Sequence, residues 1–163
     1  MNRKPMPRGT KKLARTGLSR ASELPRVPRK RKPARDTGPS RAVRALVLAR
    51  DGFACAGCGK NVAGRPYSLQ HRVARGMGGT SRADASSPVN LIVLCGSATS
   101  PGGCHYLAER RDPGMHERGL WLNSWEDPAR VPVMVFSPRS DGVTLWLTRD
   151  GKRSADDPRE VAA

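Results

Sequence analysis

Cys55-Ala-Gly-Cys58 and Cys95-Gly-Ser-Ala-Thr-Ser-Pro-Gly-Gly-Cys104-His105 are the two stretches that decide the fold of this chain. Four thiolates suit a tetrahedral zinc at sulfur–metal distances of about 2.3 Å, and a Cys-x2-Cys turn supplies two of the four corners. Gly57 and Gly59 let the backbone fold tightly around such a metal. The second pair is further apart than is common, but the intervening GSATSPGG is small and polar enough to loop out. Two disulfides are the other use of four cysteines. They belong to secreted chains, and the N-terminus has positive charge without the apolar region of a secretory signal. A core this small also has reason to need a metal staple.

Working outward, Ser40 is a good N-cap, and residues 42–49 give an apolar face with Arg41, Arg44 and Arg50 on the rest of a helix that Asp51-Gly52 stops. Residues 67–73 read as a short strand and the Gly-rich residues 75–88 as a loop. A second strand follows at 89–94 and a helix at 104–111, ended by Asp112-Pro113-Gly114. The order is strand, loop, strand, helix. Further on, apolar runs at 131–136 and 143–148 flank a Pro- and Gly-containing turn, a hairpin signal. Trp121, Trp125 and Trp146 read as packing residues, and the last dozen residues are expected to fray. The expected fold class is α+β. The expected organisation is an arm at 1–39, a zinc-bearing core at 40–112, an extension with a hairpin at 113–152 and a tail at 153–163.

The formal charge is +16 over 163 residues, with 30 Lys and Arg against 14 Asp and Glu. Residues 1–39 carry thirteen of those cations, Lys30, Arg31 and Lys32 among them, and only two acids, Glu23 and Asp36. Six prolines and little to bury leave that segment unable to offset its ordering entropy, so a disordered basic arm is expected. A field of this sign draws polyanions, nucleic acid first. Aromatic content of 4% argues against a stacking platform for single strands. No run approaches the roughly 18 apolar residues of a spanning helix, so no membrane partner is expected and a cytoplasmic location is the simplest reading.

Three residues are left over from a zinc staple. His71, on the first strand, has an unperturbed pKa near neutrality and can take a proton from water. Asn90, at the start of the second strand, has an amide suited to orienting an imidazole. His105, beside Cys104, is either a redundant zinc-side residue or a ligand to a second metal.

Together, SLQHRVARGMGGT, NLIVLC and GGCHYLAER resemble the HNH endonuclease family with its ββα-metal fold, over residues 40–111, and look closest to small phage and prophage members. The resemblance implies DNA as partner and, by family context, a phage terminase beside it in the host cytoplasm. It makes His71 the general base, Asn90 its orienting residue and His105 a ligand to a catalytic Mg²⁺, Mn²⁺ or Ni²⁺, separate from the structural Zn²⁺ on Cys55, Cys58, Cys95 and Cys104. Products would carry 5′-phosphate and 3′-hydroxyl ends. Arg72 and Arg75 are candidates for holding the phosphate, and the arm's Lys30, Arg31 and Lys32 for contacting DNA. Two positions depart from the family pattern. Gln70 stands where members usually carry Asp or His as a metal ligand. Glu109 stands where many carry a second His, one helical turn after His105. Glu109 is therefore expected to supply the carboxylate that Gln70 lacks. A zinc-ribbon protein that binds DNA without cutting it is the alternative.

Overall fold

The computed structural model describes residues 38–76, 80–137 and 140–161, so nearly all of the expected basic arm, with Lys30, Arg31 and Lys32, lies outside the described residues. Helix α1 (Arg41–Arg50) begins as its sequence predicts: the Ser40 hydroxyl accepts a hydrogen bond from the Val43 amide at 3.3 Å. Asp51 ends it and does more than stop a helix. Its buried carboxylate accepts from Arg50 Nε (2.7 Å), Arg153 Nη2 (3.0 Å) and the Val93 amide (3.0 Å). Arg50 donates in turn to the carbonyls of Pro88 and Leu91, which fixes the end of α1 against the start of the next strand pair.

Strands β1 (Tyr67–His71) and β2 (Leu91–Cys95) pair antiparallel, with Tyr67 opposite Cys95 and His71 opposite Leu91. Both are shorter than expected at their shared end. Pro88–Asn90 forms a 3-10 turn, for which Pro88 presets the backbone, so Asn90 precedes β2 rather than opening it. After His71 the chain leaves β1, and Val73 bridges Leu122 in parallel. Leu91, Ile92, Val93 and Leu94 are all buried, as a continuous apolar run covered on both faces requires.

Helix α2 (Cys104–Glu109) stops two residues early, where Arg111 takes a positive φ of 56°. Asp112-Pro113, expected only as a stop, also starts a helix. The Asp112 carboxylate caps α3 (Pro113–Glu117) by accepting from the Met115 amide, with proline in the first turn where its missing N–H costs nothing. The hairpin appears as β3 (Val133–Ser137) and β4 (Ser140–Leu147), with β5 (Arg153–Ser154) completing a three-stranded sheet in the order β3-β4-β5. The expectation of a frayed tail fails for residues 153–161. Arg153 and Ser154 pair with β4, Arg153 reaches buried Asp51, and a short helix α4 (Pro158–Val161) follows.

The result is a mixed α+β protein with two small sheets and short helices. Val133, Val135, Leu145 and Leu147 belong to the same apolar cluster as β2, α1 and α2, so residues on either side of position 112 share one core. Among the described residues, no helix is long and apolar enough to cross a membrane.

Candidate metal centre and histidine cleft

The Cys55–Cys58 turn is built by backbone hydrogen bonds. The Cys55 amide donates to Lys60 O at 2.9 Å, and the Gly59 amide closes the knuckle onto Cys55 O at 2.7 Å. Ala56 ties the turn to β2 through Val93 O and receives the Phe136 amide from β3. Glycine is required at 57, because a Cβ there would meet Cys104 Cβ and Sγ at 2.8 Å. Arg118 braces the same turn from the other side, donating to Gly57 O at 2.8 Å while its guanidinium lies 4.4 Å from the Phe136 ring.

The four sulfurs are free thiols whose Sγ atoms all lie within 4.8 Å of one another. Bonds of about 2.3 Å to tetrahedral corners place thiolates about 3.8 Å apart. Cys58 Sγ and Cys95 Sγ are 3.8 Å apart. Backbone amides already point at two sulfurs, Cys95 N at Cys55 Sγ and Cys104 N at Cys95 Sγ. The long insert between Cys95 and Cys104 loops out as expected, tied by Ser97 Oγ to Ser100 Oγ at 2.8 Å. A hydrogen bond from Cys104 lowers the Cys55 thiol to about 5, while the same contact and burial push Cys104 upward. Four thiolates this crowded need a cation among them, and the donor set fits zinc.

His71 lines a cleft of about 530 Å³ together with Pro39, Arg44, Tyr67, Ser68, Leu69 and Arg75. Its Nε2 is buried without a hydrogen-bond partner. Burial, then the positive charges of Arg75 and Arg44, push its pKa down to about 4, so the ring is neutral at pH 7. Arg44 escaped the sequence reading, which set it on the outer side of α1 with no site to serve. Only the packing of α1 beside β1 reveals it.

Arg72, a candidate phosphate contact, is instead placed in the interior. It is fully buried, and its guanidinium donates to four carbonyls: Gly119 (2.7 Å), Pro128 (2.8 Å), Val131 (2.8 Å) and Pro132 (3.0 Å). Asn90 is also corrected in its means of action. Its side chain does not touch the imidazole; Oδ1 accepts from Val73 N (2.8 Å), and Nδ2 donates to Val73 O (3.1 Å) and Ala85 O (3.0 Å). It therefore fixes the backbone two residues beyond His71 and holds the following loop to it.

Gln70 is buried and donates through Nε2 to His71 O at 3.1 Å. It shares a narrow cleft with Glu109, Arg111 and Trp121. Glu109 Oε1 stands 3.6 Å from His105 Nε2, so Glu109 links the two other candidate ligands. Nδ1 of His105 is buried and unpartnered, and burial lowers the pKa of this ring too. Gln70 and Glu109 thus line one cleft and His71 another. Among the described residues, the four cysteines form the only group of three or more Cys, His, Asp or Glu side chains placed to hold an ion.

The third histidine, His116, also went unread. It stacks on Trp121 at 4.4 Å between ring centroids and meets Glu126 at 3.1 Å, a small polar network that closes the loop before β3. Trp125 is 80% exposed, against the expectation that it packs.

No family model matches this chain, and neither does any curated protein or solved structure. The fold and the site define a small mixed α+β protein with four cysteines positioned to hold a metal ion, compatible with structural zinc.

Proposed function

We propose that the chain is a metal-dependent DNA endonuclease of the HNH type, with β1, β2 and α2 as its ββα unit and zinc on the four cysteines as its staple. The observation that carries this reading is a pair of orphaned imidazole nitrogens, His71 Nε2 and His105 Nδ1, on a strand and a helix joined through one cysteine centre. Buried polar atoms are normally satisfied; among the described residues Arg118 Nε and Trp146 Nε1 are orphaned as well, and of the four only the two imidazole nitrogens suit acid–base work or metal ligation.

His71 takes a proton from water in the cleft that it lines. The oxygen of that water attacks phosphorus, the bond from phosphorus to the 3′ oxygen breaks, and the departing oxygen takes up a proton. Arg44 and Arg75 face the same cleft and suit the charge of a phosphodiester. His105, Glu109 and Gln70 offer a nitrogen, a carboxylate and an amide oxygen, a donor set that fits Mg²⁺, Mn²⁺ or Ni²⁺. Such an ion, when bound, supplies charge stabilisation at the phosphate and leaving oxygen.

One observation favours the second reading, a zinc protein that binds DNA without cutting it. The cleft of Gln70 and Glu109 is not the cleft of His71, whereas hydrolysis needs base and metal on one phosphate. Nicking of supercoiled plasmid with Mg²⁺, Mn²⁺ and Ni²⁺ separates the two, using wild type and His71→Ala matched for zinc content. Metal-dependent nicking that disappears in the variant is the expected result. A zinc-loaded, DNA-binding wild type that nicks with none of the metals establishes the binder. Within the nuclease reading, Glu109→Ala is expected to weaken divalent-metal affinity; unchanged affinity removes Glu109 from the site.

A further inference from the structure

Acidic residues are segregated along this chain. Residues 52–83 and 85–108 hold no Asp or Glu, and ten of the fourteen acids follow residue 108. The two acids within residues 40–108 are both tied to arginine, Asp51 to Arg50 and Arg153, Asp84 to Arg82.

Two clefts open on the acid-free stretch. One holds His71 with Arg44 and Arg75. The second, of about 330 Å³, is lined by exposed Lys60, Asn61 and Arg65, by Pro66, and by Gly102 and Gly103 at the end of the zinc loop. Pro66 lines the second, and its chain neighbour Tyr67 lines the first. The backbone between them is held in place. Gly96 N donates to Pro66 O at 3.0 Å, and Ser68 Oγ donates to Gly96 O at 3.0 Å. Tyr67 leaves 42% of its surface in solvent at the junction.

We infer that the DNA strand engaged at His71 continues along β1 into the Lys60–Arg65 cleft, where these two cations hold a second backbone phosphate. The inference rests on the reading of His71 as the hydrolytic centre. A strand of five residues spans about 13 Å, several times the rise of about 3.4 Å per step of one DNA strand. The two clefts therefore serve different phosphates. Among the described residues, no carboxylate lines either cleft. Lys60 and Arg65 read no base in this arrangement; they set the register of the strand across the cleft beside them.

The test uses the full chain, zinc-loaded, and a 20-base-pair duplex without added divalent metal. Wild type is compared with Lys60→Ala/Arg65→Ala and with a charge-matched control, Arg130→Ala/Lys152→Ala, whose cations are exposed and paired with Asp127 and Asp150. Equal zinc content shows that all three fold. Each lost phosphate contact lowers the slope of log affinity against log salt by about 0.9. The first variant, which gives up one phosphate, is expected to lose about one unit of slope, and the control to lose none. An unchanged slope, or an equal loss in the control, overturns the inference. So does an outcome in which the first variant loses binding to polyglutamate while keeping its DNA slope, which assigns the cleft to an acidic protein. Plasmid nicking by wild type is scored separately. A protein that shows the slope change but never nicks keeps this DNA track and loses the nuclease reading.

Discussion

Gly57 touches the metal site through the side chain of another residue. A methyl group at this position would sit 2.8 Å from Cys104 Cβ and Sγ. Gly57→Ala is therefore expected to displace one thiolate and weaken zinc binding about tenfold or more, the scale seen when outer contacts of metal ligands are altered. Competition with a chromogenic chelator measures it. His71 carries a second prediction, for stability. Its pKa is about 4 in the folded chain and 6.5 when unperturbed. Between those values the unfolded state binds the proton and the folded state does not. This contribution is present in full above pH 6.5 and is lost as pH falls from 6.5 towards 4. Urea midpoints across that interval are expected to fall more steeply for wild type than for His71→Gln. At this scale the sequence was informative where chemistry depends on residue type, as with the four cysteines. It misled where environment decides. Arg72 is an ordinary surface cation in composition, and only burial against four carbonyls shows it to be structural.

The elements around His71 are joined by side chains rather than by long ladders. Asn90 ends the turn before β2 and bonds both backbone groups of Val73, beyond the end of β1. Asn90→Ala leaves those groups and Ala85 O buried without partners, a cost of about 1–3 kcal/mol for each group left unsatisfied. The expected outcome is faster amide exchange at Val73 with metal content unchanged, and, under the proposed function, loss of nicking. Exchange rates equal to wild type would show that Asn90 does not brace this loop. The order strand, loop, strand, helix was legible because the apolar runs and cysteine spacings bound each piece. The boundaries were less so. Pro88 converts the expected first residues of β2 into a turn, and Asp112-Pro113 serves as both the end of one helix and the start of the next. A stop signal and an N-cap use the same residues, so sequence alone does not separate them.

Across the whole molecule, the four-cysteine centre, β2 and the hairpin draw on one core. The sequence showed the apolar runs that form it but not which of them meet. No pattern in residues 113–154 announces that Gly119, Pro128, Val131 and Pro132 will offer their carbonyls to the guanidinium just after β1. Nor does anything near Arg153 point to Asp51, 102 positions earlier. Glycine at 119 shows how close the approach is, since a Cβ there would meet Pro132 O at 2.1 Å. A fragment ending at residue 112 would keep every zinc ligand and every candidate catalytic group. It would also lose Val133, Val135, Leu145 and Leu147 from the shared core and the four carbonyls that anchor Arg72, a loss of several kcal/mol. Such a fragment is expected to precipitate or to unfold at far lower urea than the full chain, and a stable, zinc-loaded 1–112 product would contradict this. The apparent catalytic module is therefore not a transplantable cassette. Anyone grafting it must carry the sequence through Ser154 as a single piece.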